Sequence, residues 1–472
     1  MKATKIVATI GPASESEEML ERLFSAGVNV CRLNFSHGSH EWHSDAIGRI
    51  RSVSDRLGVH VGVLADLQGP RIRTLVSDEI VLESDQRVVV VGGMPSGGDE
   101  LSIGLDCPRV VANFVEGHEI LIEDGLMRLR VVSSGTDRVE AVVIDGGVVK
   151  NHKGINVPDT DVPLASLTEK DLSDLAFVLD EGVDFVALSF VRRGADVRDL
   201  RARILSHLGD RAEAVPQIVS KVERKEALLA LPEILRETDV VMVARGDLGI
   251  EAQPSRVTIF QKEIIAQCLK AARPVIVATQ MLDSMIRNPR PTRAEVSDVS
   301  NAVIDHADAV MLSGETAGGA YPFETVSTMS AIIRDTEESP FDDVLEALET
   351  TVDSDYVSVL RGAYDLARHS QARAILLFSH SGFTARLMSH FRPQERLYVA
   401  TDEVLTARQL ALVWGVRSYV TERTEDPYKA IVGLIDRLKK EDRLKVGDSA
   451  VIVLGALPGV GSLRLVGVQV VE

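Results

Sequence analysis

The stretch VGVLADLQGPRIR, residues 61–73, decides how the chain is organised. It opens with an apolar run that predicts a buried strand ending at Asp66. A Gly-Pro pair then interrupts any regular element, and Arg71 and Arg73 follow, one residue apart. In an extended chain, side chains at that spacing point to the same side. Two fixed positive charges just past a carboxylate at a strand end therefore suggest a site for an anion.

Upstream of this stretch, short apolar runs alternate with amphipathic ones. A serine at the start of the first amphipathic run and Gly27 at its end are typical helix caps. The predicted strands are 5–10, 28–36 and 61–68, and the predicted helices are 16–27 and 40–58. This alternation indicates successive strand–helix units.

Downstream, from about residue 71 to 158, the chain is rich in Val, Ile, Gly and Asp, and turn signals are closely spaced. The runs 87–93, 109–122, 126–132 and 138–149 predict strands without helices between them. We therefore predict an inserted all-β domain.

Strand–helix alternation resumes at residue 168 and supplies five more strands. These are 184–191, 214–222, 239–247, 274–280 and 308–315. Eight such units predict a (β/α)8 TIM barrel with the β domain inserted after strand 3. Count and period alone also allow a doubly wound open sheet.

Acidic residues around 335–355 mark a further boundary, beyond which strands and helices alternate again. We predict a C-terminal α/β regulatory domain over residues 339–472. The barrel then comprises residues 1–70 and 159–338, and the inserted lid domain comprises residues 71–158.

Composition excludes several classes of protein. A net charge of −18 over 472 residues argues against nucleic-acid binding through bulk electrostatics. The three scattered cysteines, Cys31, Cys107 and Cys268, form no CxxC pair, which fits a reducing cytoplasm and no disulfide or zinc framework. The N-terminus lacks an apolar signal core, and no apolar run approaches the ~18 residues of a membrane span, so neither is expected.

Candidate site residues, most of them polar, stand at seven successive ends of the predicted barrel strands, where such barrels build their active sites. In chain order they are Arg32, Asn34, Ser36 and His37; Asp66, Arg71 and Arg73; Ser189 and Phe190; Lys221 and Glu223; Arg245, Gly246 and Asp247; Thr279 and Gln280; Ser313 and Glu315. Each alone fits a solvated cap or an ion pair, but together they indicate one functional site.

Two carboxylates at adjacent strand ends predict a metal site. Lys221 and Glu223 lie two residues apart and so share one face of a strand, while Asp247 ends the next strand. Mg²⁺ prefers a few carboxylate oxygens and keeps its remaining positions for water and phosphate. The neighbouring cations would neutralise a phosphate group. The residues therefore predict metal-assisted chemistry on a small phosphorylated anion.

Several of these stretches together resemble pyruvate kinases, in the right order and across all three predicted domains. They are KIVATIGPAS (5–14), NVCRLNFSHGSHEWH (29–43), DLQGPRIR (66–73), VMVARGDLGIE (241–251) and the long segment 274–322. The resemblance implies phosphoryl transfer from phosphoenolpyruvate to ADP, giving pyruvate and ATP. It also implies a divalent metal, Mg²⁺ or Mn²⁺, and a homotetramer, with neither nucleic acid nor membrane as a partner.

The resemblance also implies residue roles in the barrel. Glu223 and Asp247 would bind the divalent metal, and Lys221 would stabilise the moving phosphoryl group. The backbone of Ala244, Arg245, Gly246 and Asp247 would hold the substrate carboxylate beside Thr279, with Ser189 near the substrate. The Thr279 hydroxyl would belong to a proton-delivery network, with Ser313 and Glu315 as outer members.

The nucleotide contacts implied by the resemblance come from the barrel and the lid. Arg32 and Arg73 would contact phosphates shared by both substrates, with Asn34 and Pro12 near the nucleotide. Lys153 would close over the nucleotide phosphates. Trp42 stands where relatives often place an aromatic residue against adenine, although a packed surface tryptophan explains it almost as well.

The residues after Asp66 depart from the K⁺-requiring pattern. Relatives that need K⁺ carry Thr-Lys-Gly-Pro-Glu here, whereas this chain carries Leu-Gln-Gly-Pro-Arg, and the remaining pocket positions are Asn34 and Ser36. The K⁺-independent branch carries Lys where Arg71 stands. We predict that the Arg71 guanidinium replaces the monovalent cation, so that K⁺ is not required. Alternatively, Arg71 faces solvent at a domain hinge.

The turn SHSGFTARL, residues 379–387, resembles an effector loop that binds sugar phosphates. Ser379, Ser381 and Thr384 would be its contacts, and residues 455–462 would form a second loop. A plain serine-capped helix is the alternative. Two other classes of protein remain open for the whole chain, namely a metal-dependent lyase or aldolase and a non-catalytic metabolite sensor.

Overall fold

The structure is a computed structural model that describes most of the chain in nine segments. The described residues are 2–96, 101–160, 165–211, 214–252, 254–341, 352, 355–424, 426–455 and 464–472.

The N-terminal segment forms the first three barrel strands and two connecting helices. They are β1 (Lys5–Thr9), α1 (Glu17–Ala26), β2 (Val30–Asn34), α2 (His40–Leu57) and β3 (Gly62–Asp66). The predicted caps of α1 are confirmed. The Ser16 hydroxyl accepts a hydrogen bond from the Met19 amide, and Gly27 ends the helix with a φ of 116°, which favours glycine.

The insertion folds as a small closed barrel of antiparallel and parallel strands, so the predicted all-β domain is confirmed. Its strands are β4 (Ile72–Leu75), β5 (Ile80–Leu82), β6 (Arg87–Gly92), β7 (Ser102–Leu105), β8 (Glu119–Ile122), β9 (Met127–Ser133), β10 (Arg138–Asp145), β11 (Gly147–Val149) and β12 (Gly154–Asn156). The closed order is β10-β6-β7-β4-β12-β8-β9, and β11 pairs with β5 beside it.

One predicted strand of this domain was wrong in extent. Residues 109–122 were expected to form one strand, but Pro108–Asn113 forms a 3₁₀ helix and only β8 pairs with neighbours. Proline at the first helical turn favours the helix, and Gly117 turns the chain with a φ of 92° before β8. The apolar run alone could not distinguish the two structures.

The chain then returns to the main barrel. Its elements are α3 (Glu169–Asp180), β13 (Phe185–Leu188), α4 (Gly194–Leu208), β14 (Gln217–Val222), α5 (Lys225–Leu229), α6 (Leu231–Glu237), β15 (Val240–Ala244), α7 (Arg245–Glu251), α8 (Val257–Lys270), β16 (Val275–Ala278), α9 (Arg293–Ile304), β17 (Ala309–Leu312), α10 (Gly314–Ala317) and α11 (Pro322–Glu337). The eight parallel strands close in the order β1-β17-β16-β15-β14-β13-β3-β2. Closure depends on β1 pairing with β17, with Lys5 opposite Ala309, which excludes the open sheet.

The C-terminal part is an α/β unit, as predicted. Its elements are α12 (Asp355–His369), β18 (Ala374–Phe378), α13 (Phe383–His390), β19 (Arg396–Thr401), α14 (Val404–Gln409), β20 (Val416–Val420), α15 (Pro427–Lys440), β21 (Ser449–Leu454) and β22 (Leu465–Val470). The sheet order is β20-β19-β18-β21-β22, with only β22 antiparallel.

The C-terminal unit seals the base of the barrel. The buried cluster inside the barrel takes side chains from all eight strands and adds Leu412 from the C-terminal unit. Beside it, Arg392 forms a buried two-point ion pair with Asp308, which precedes β17. The predicted site residues lie at the opposite mouth of the barrel, at the carboxyl ends of the strands.

Candidate active site at the carboxyl ends of the barrel strands

Lys221 lies at the centre of the barrel mouth. It stands near the end of β14, and its Nζ lies 2.9 Å from the Glu223 carboxylate and 3.2 Å from that of Asp66. The same Nζ donates a 2.8 Å hydrogen bond to Ser189 Oγ, which in turn donates to the Leu67 carbonyl at 2.7 Å. Three neighbouring strands thus hold one ammonium group in place.

Asp66 joins this ammonium group to an arginine. Arg32 donates from Nε and from Nη2 to the same carboxylate oxygen, each at 2.7 Å, and from Nη1 to Thr9 Oγ1 at 3.0 Å. Burial alone would raise the pKa of Asp66, but the charges of Lys221 and Arg32 outweigh it and hold that pKa below its usual value. Asp66 is therefore an anion that fixes two cations.

Lys221 remains charged in spite of its burial. Removal from water disfavours its ammonium form, yet the carboxylates of Asp66 and Glu223 raise its pKa above the usual value. A fixed ammonium group at the mouth is suited to a phosphate oxygen, because its charge is neither titrated at neutral pH nor free to move.

Glu223 and Asp247 fit a divalent cation. Glu223 is 1% exposed, and burial raises its pKa; Lys221 opposes that rise, while the charge of Asp247 adds to it. Two carboxylates that repel each other in a buried place are relieved when a cation binds between them, and oxygen ligands suit Mg²⁺ and Mn²⁺. The chemistry of this pair therefore agrees with the metal site expected from the sequence.

Phe190 is a residue of the site to which the sequence assigned no role. Its φ of 53° is uncommon for a bulky side chain, and this conformation lets its backbone N–H donate to Glu223 at 2.6 Å. Its ring lies 5.9 Å from the guanidinium carbons of both Arg71 and Arg224. A strained position at a strand end marks functional sites, but no sequence pattern reveals it.

Gly246 and Thr279, which were expected to lie side by side, are in contact next to Asp247. The Gly246 amide, in the first turn of α7, donates to Thr279 Oγ1 at 2.9 Å, and Thr279 has a φ of 72°. The Arg245 side chain is committed elsewhere, since it donates to Asp298 and to the Thr279 carbonyl, each at 2.7 Å. Only the backbone of Arg245 is therefore available to a ligand.

Glu315 supports the loops around this pair. Its carboxylate accepts hydrogen bonds from the amides of Ser313 at 2.7 Å and Leu282 at 3.2 Å, and burial raises its pKa. These bonds tie the end of β17 to the loop after β16, which carries Thr279. Ser313 itself is half-buried at the start of α10.

Known proteins match the chain over nearly its whole length. The barrel-domain family of pyruvate kinases matches residues 1–326, and their alpha/beta-domain family matches residues 357–468. The chain belongs to the pyruvate kinase family. It is therefore an enzyme of that family, and this excludes the lyase, aldolase and sensor alternatives.

Individual pyruvate kinases are similar at moderate identity. The enzyme of Sporosarcina psychrophila is 39% identical over all of this chain and 81% of its own length. That of Staphylococcus epidermidis is 43% identical over 97% of this chain and 78% of its own length. A crystal structure of a pyruvate kinase from Cryptosporidium parvum superimposes with a TM-score of 0.93 at 33% identity, covering 100% of this chain and 96% of that one.

The positions expected to form a K⁺ pocket make contacts within the protein. Asp66 neutralises Arg32 and Lys221, the Leu67 carbonyl accepts from Ser189, and Asn34 Oδ1 accepts from the Ser36 amide at 3.2 Å. Arg71 itself is exposed and lies over the Phe190 ring; its guanidinium is not among the partners of Asp66.

The lid carries two of the expected phosphate contacts on adjacent strands. Arg73, on β4, pairs with Gly154, which follows Lys153. The Lys153 ammonium forms a 2.5 Å ion pair with Glu123. The lid rests on the barrel through Asn156, whose amide donates to Glu251 at 3.1 Å.

The expected adenine residue is held at the barrel rim. Trp42 is half-buried in α2, and its indole N–H donates to Glu15 at 2.5 Å. Pro12 is exposed in the loop after β1. The tryptophan thus makes the polar contact of a packed surface residue.

The expected effector residues lie at the carboxyl end of β18. Ser379 is buried, Ser381 is exposed, and the buried Thr384 hydroxyl lies 2.7 Å from Tyr356 Oη. The alternative of a serine-capped helix is wrong, because α13 begins after Gly382, which has a φ of 74° and provides no side-chain cap. Residues 456–462 of the second expected loop lie outside the described residues.

Within the described parts of the chain, none of the helices combines the length and the apolarity that crossing a membrane requires.

Proposed function

We propose that this enzyme transfers the phosphoryl group of phosphoenolpyruvate to ADP at the barrel mouth, giving pyruvate and ATP. The observation that carries the proposal is the position of Lys221, which is fixed between Asp66, Glu223 and Ser189. A charged donor held at a strand end can stabilise a phosphoryl group in transfer without moving during the reaction.

We propose Glu223 and Asp247 as the ligands of a divalent cation, Mg²⁺ or Mn²⁺. Such a cation, when bound, neutralises charge on phosphoryl and carboxylate oxygens and orients them. The repulsion between the two carboxylates supports this assignment.

The remaining roles follow from what each group can donate. Arg32 and Arg73 are proposed to bind phosphate oxygens as charged forks. The backbone N–H groups of residues 244–247, at the start of α7, would hold the substrate carboxylate next to Thr279. The Thr279 hydroxyl would deliver the proton to the enolate carbon, with Glu315 and Ser313 positioning its loop.

Nucleotide binding is assigned to the lid and the barrel rim. Lys153 would exchange its ion pair with Glu123 for the nucleotide phosphates when the lid closes. Asn34, Pro12 and Trp42 are proposed to lie along the nucleotide. Ser189 supports Lys221 and lies near the substrate.

We propose that the enzyme does not require K⁺ and so belongs to the K⁺-independent branch. The two positive charges already held at Asp66, those of Arg32 and Lys221, support this, because they repel a further cation there. Arg71 contributes a tethered positive charge nearby, held over the Phe190 ring.

We further propose an allosteric effector, an oligomeric state and domain boundaries for the enzyme. A sugar phosphate would activate the enzyme by binding near Ser379, Ser381 and Thr384, and the enzyme would work as a cytoplasmic homotetramer. The proposed units are a catalytic barrel (1–70 and 159–338), a lid (71–158) and a regulatory domain (339–472).

The first experiment measures pyruvate formation from phosphoenolpyruvate and ADP with Mg²⁺ in potassium-free buffer, and again after addition of KCl. We expect full activity without K⁺. Activity only with K⁺ would keep the kinase and refute the proposed role of Arg71. No activity in either buffer, with sugar phosphates also tried, would overturn the proposed function.

A further inference from the structure

A cavity of about 580 Å³ lies between the base of the barrel and the C-terminal unit, on the side opposite the active site. Its wall is formed by the N-terminus before β1, the end of α11, the loop before β19 and the start of β20. Ligand cavities in proteins of this size class are commonest at such domain interfaces.

The wall of this cavity is strongly basic, although the whole chain has a net charge of −18. It contains seven lysine and arginine side chains and three glutamates. Arg392 and Arg417 are paired with Asp308 and Glu441, which lie outside the wall. With both neutralised, positive charges in the wall still exceed negative ones by two.

Two lysines of the wall are held by uncharged oxygens. Lys2 Nζ donates to Asn29 Oδ1 at 2.7 Å and to the Thr4 carbonyl at 3.2 Å, and Lys5 Nζ donates to the Val416 carbonyl at 2.6 Å. Burial lowers the pKa of both, that of Lys5 to about 8. The carboxylate charge of Glu337 offsets part of the cost of burying these two cations, and an anion in the cavity would offset more of it.

Glu337 acts on both lysines through its charge but forms no ion pair with either of them. Both oxygens of Glu337 already accept backbone hydrogen bonds, from Ala3 at 2.8 Å and from Thr4 at 2.6 Å. Arg334, one helical turn earlier on α11, is exposed and forms no ion pair with any residue that the structure describes. Its charge acts on Lys2, so three cations converge on one side of the cavity.

The wall also contains a buried carboxyl oxygen that has no hydrogen-bond partner in the part of the chain that the structure describes. Glu395 Oε2 is buried and has no hydrogen-bond partner among the described residues, and burial raises the pKa of this carboxyl group. A carboxyl oxygen can accept a hydrogen bond from a hydroxyl group of a ligand. Buried polar atoms of this kind require an explanation, and a ligand would supply one.

We propose that this cavity is a binding site for a phosphomonoester metabolite, with Lys2, Lys5 and Arg334 contacting its phosphate group. A dianionic phosphate matches several converging donors better than a single carboxylate does. The site is separate from the barrel mouth and from residues 379–384. Since the wall joins two domains, a bound ligand stabilises their docked arrangement.

The test is calorimetric titration of the full chain with inorganic phosphate, glucose 6-phosphate and adenosine 5′-monophosphate. All proteins carry Ser381→Asp, which repels phosphate from the expected effector loop. The pocket variant adds Arg334→Glu, and the matched control adds Arg198→Glu, on an exposed arginine of α4 that lies outside the cavity. Equal melting temperatures would establish that both variants are folded.

We expect at least one phosphomonoester to bind, with Kd raised about tenfold or more by Arg334→Glu and unchanged by the control. The tighter of the two organic ligands identifies the metabolite class. The proposal is overturned if no probe binds with a Kd below about 1 mM, or if pocket and control variants bind all three equally. Pyruvate kinase activity is measured separately, so a failure of this binding proposal can be distinguished from a failure of the proposed catalytic function.

Discussion

At the scale of single residues, the site depends on charges that hold one another in place. Asp66 restrains Arg32 and Lys221, and Lys221 in turn partly neutralises Glu223. The identities of these residues were predictable from the strand ends. Their mutual distances were not, because β2 and β3 come close to β14 only in the folded sheet.

Replacement of Lys221 by methionine tests the centre of this arrangement. We expect kcat to fall at least about 100-fold, since a preorganised charge donor to the transferring group is lost. Lys221→Arg, which keeps the charge but moves it, should also lose activity. Steady-state kinetics measure both, and Lys445→Met, on an exposed lysine of the C-terminal unit, is the control. Activity close to that of the parent in Lys221→Met would remove this residue from catalysis.

Replacement of Arg71 by glutamate tests the substitute for K⁺. In potassium-free buffer we expect activity to fall about tenfold or more, with partial recovery on addition of KCl, because the sign of the local charge is reversed. The control is Arg87→Glu, which makes the same change in net charge at an exposed arginine of β6 in the same lid domain. If KCl raises the activity of the Arg71 variant no more than that of the parent enzyme, the guanidinium does not replace the cation.

At the scale of elements, the lid positions its lysine through one buried hydroxyl. Thr74, on β4, donates to the Lys150 carbonyl at 2.7 Å and accepts from the Lys153 amide at 2.8 Å. These bonds fix the turn between β11 and β12, and with it the start of the Lys153 side chain. The sequence predicted the role of Lys153 but neither β4 nor this connection.

Thr74→Val should loosen that turn without changing its size. We expect KM for ADP to rise about three- to thirtyfold with little change in kcat, because two hydrogen bonds that position Lys153 are lost. Thr74→Ser retains the hydroxyl and should behave as the parent enzyme does. Equal loss of kcat in both variants, at constant KM, would show a general structural defect instead.

At the scale of the whole molecule, one buried ion pair fastens the C-terminal unit to the barrel. Arg392 donates to both oxygens of Asp308 at 2.9 and 3.1 Å and lies 5.0 Å from the Trp414 ring. Asp308 also accepts from the amides of Val275 and Trp414, so it links strands of the two units. This pair adjoins the proposed anion cavity.

Arg392→Met should weaken the docking of the two units. Removal of one partner of a buried pair costs about 3–5 kcal/mol, so we expect a lower melting temperature and separate calorimetric transitions for the two units. Arg437→Met breaks an exposed pair with Glu441 and should change stability by less than about 1 kcal/mol. A single transition at the parent temperature would mean that other contacts dominate the interface.

The sequence by itself determined the eight strand–helix units, the β insertion, the C-terminal unit and the polar residues at the strand ends. These are local properties, since periodicity, caps and motif spacing depend on residues close together in the chain. The sequence pattern predicted the wrong element where an apolar run fits either a strand or a helix. At residues 109–122 we predicted a strand, but the preceding proline favoured a 3₁₀ helix.

Only the tertiary structure decided which groups meet. Parallel pairing of β13 with both β3 and β14 brings Lys221 to Asp66 and Ser189 to the Leu67 carbonyl. Docking of the C-terminal unit buries Lys5 against Val416 and creates the basic cavity. Burial and charge pairing depend on many residues that are distant in sequence, so no local pattern predicts them.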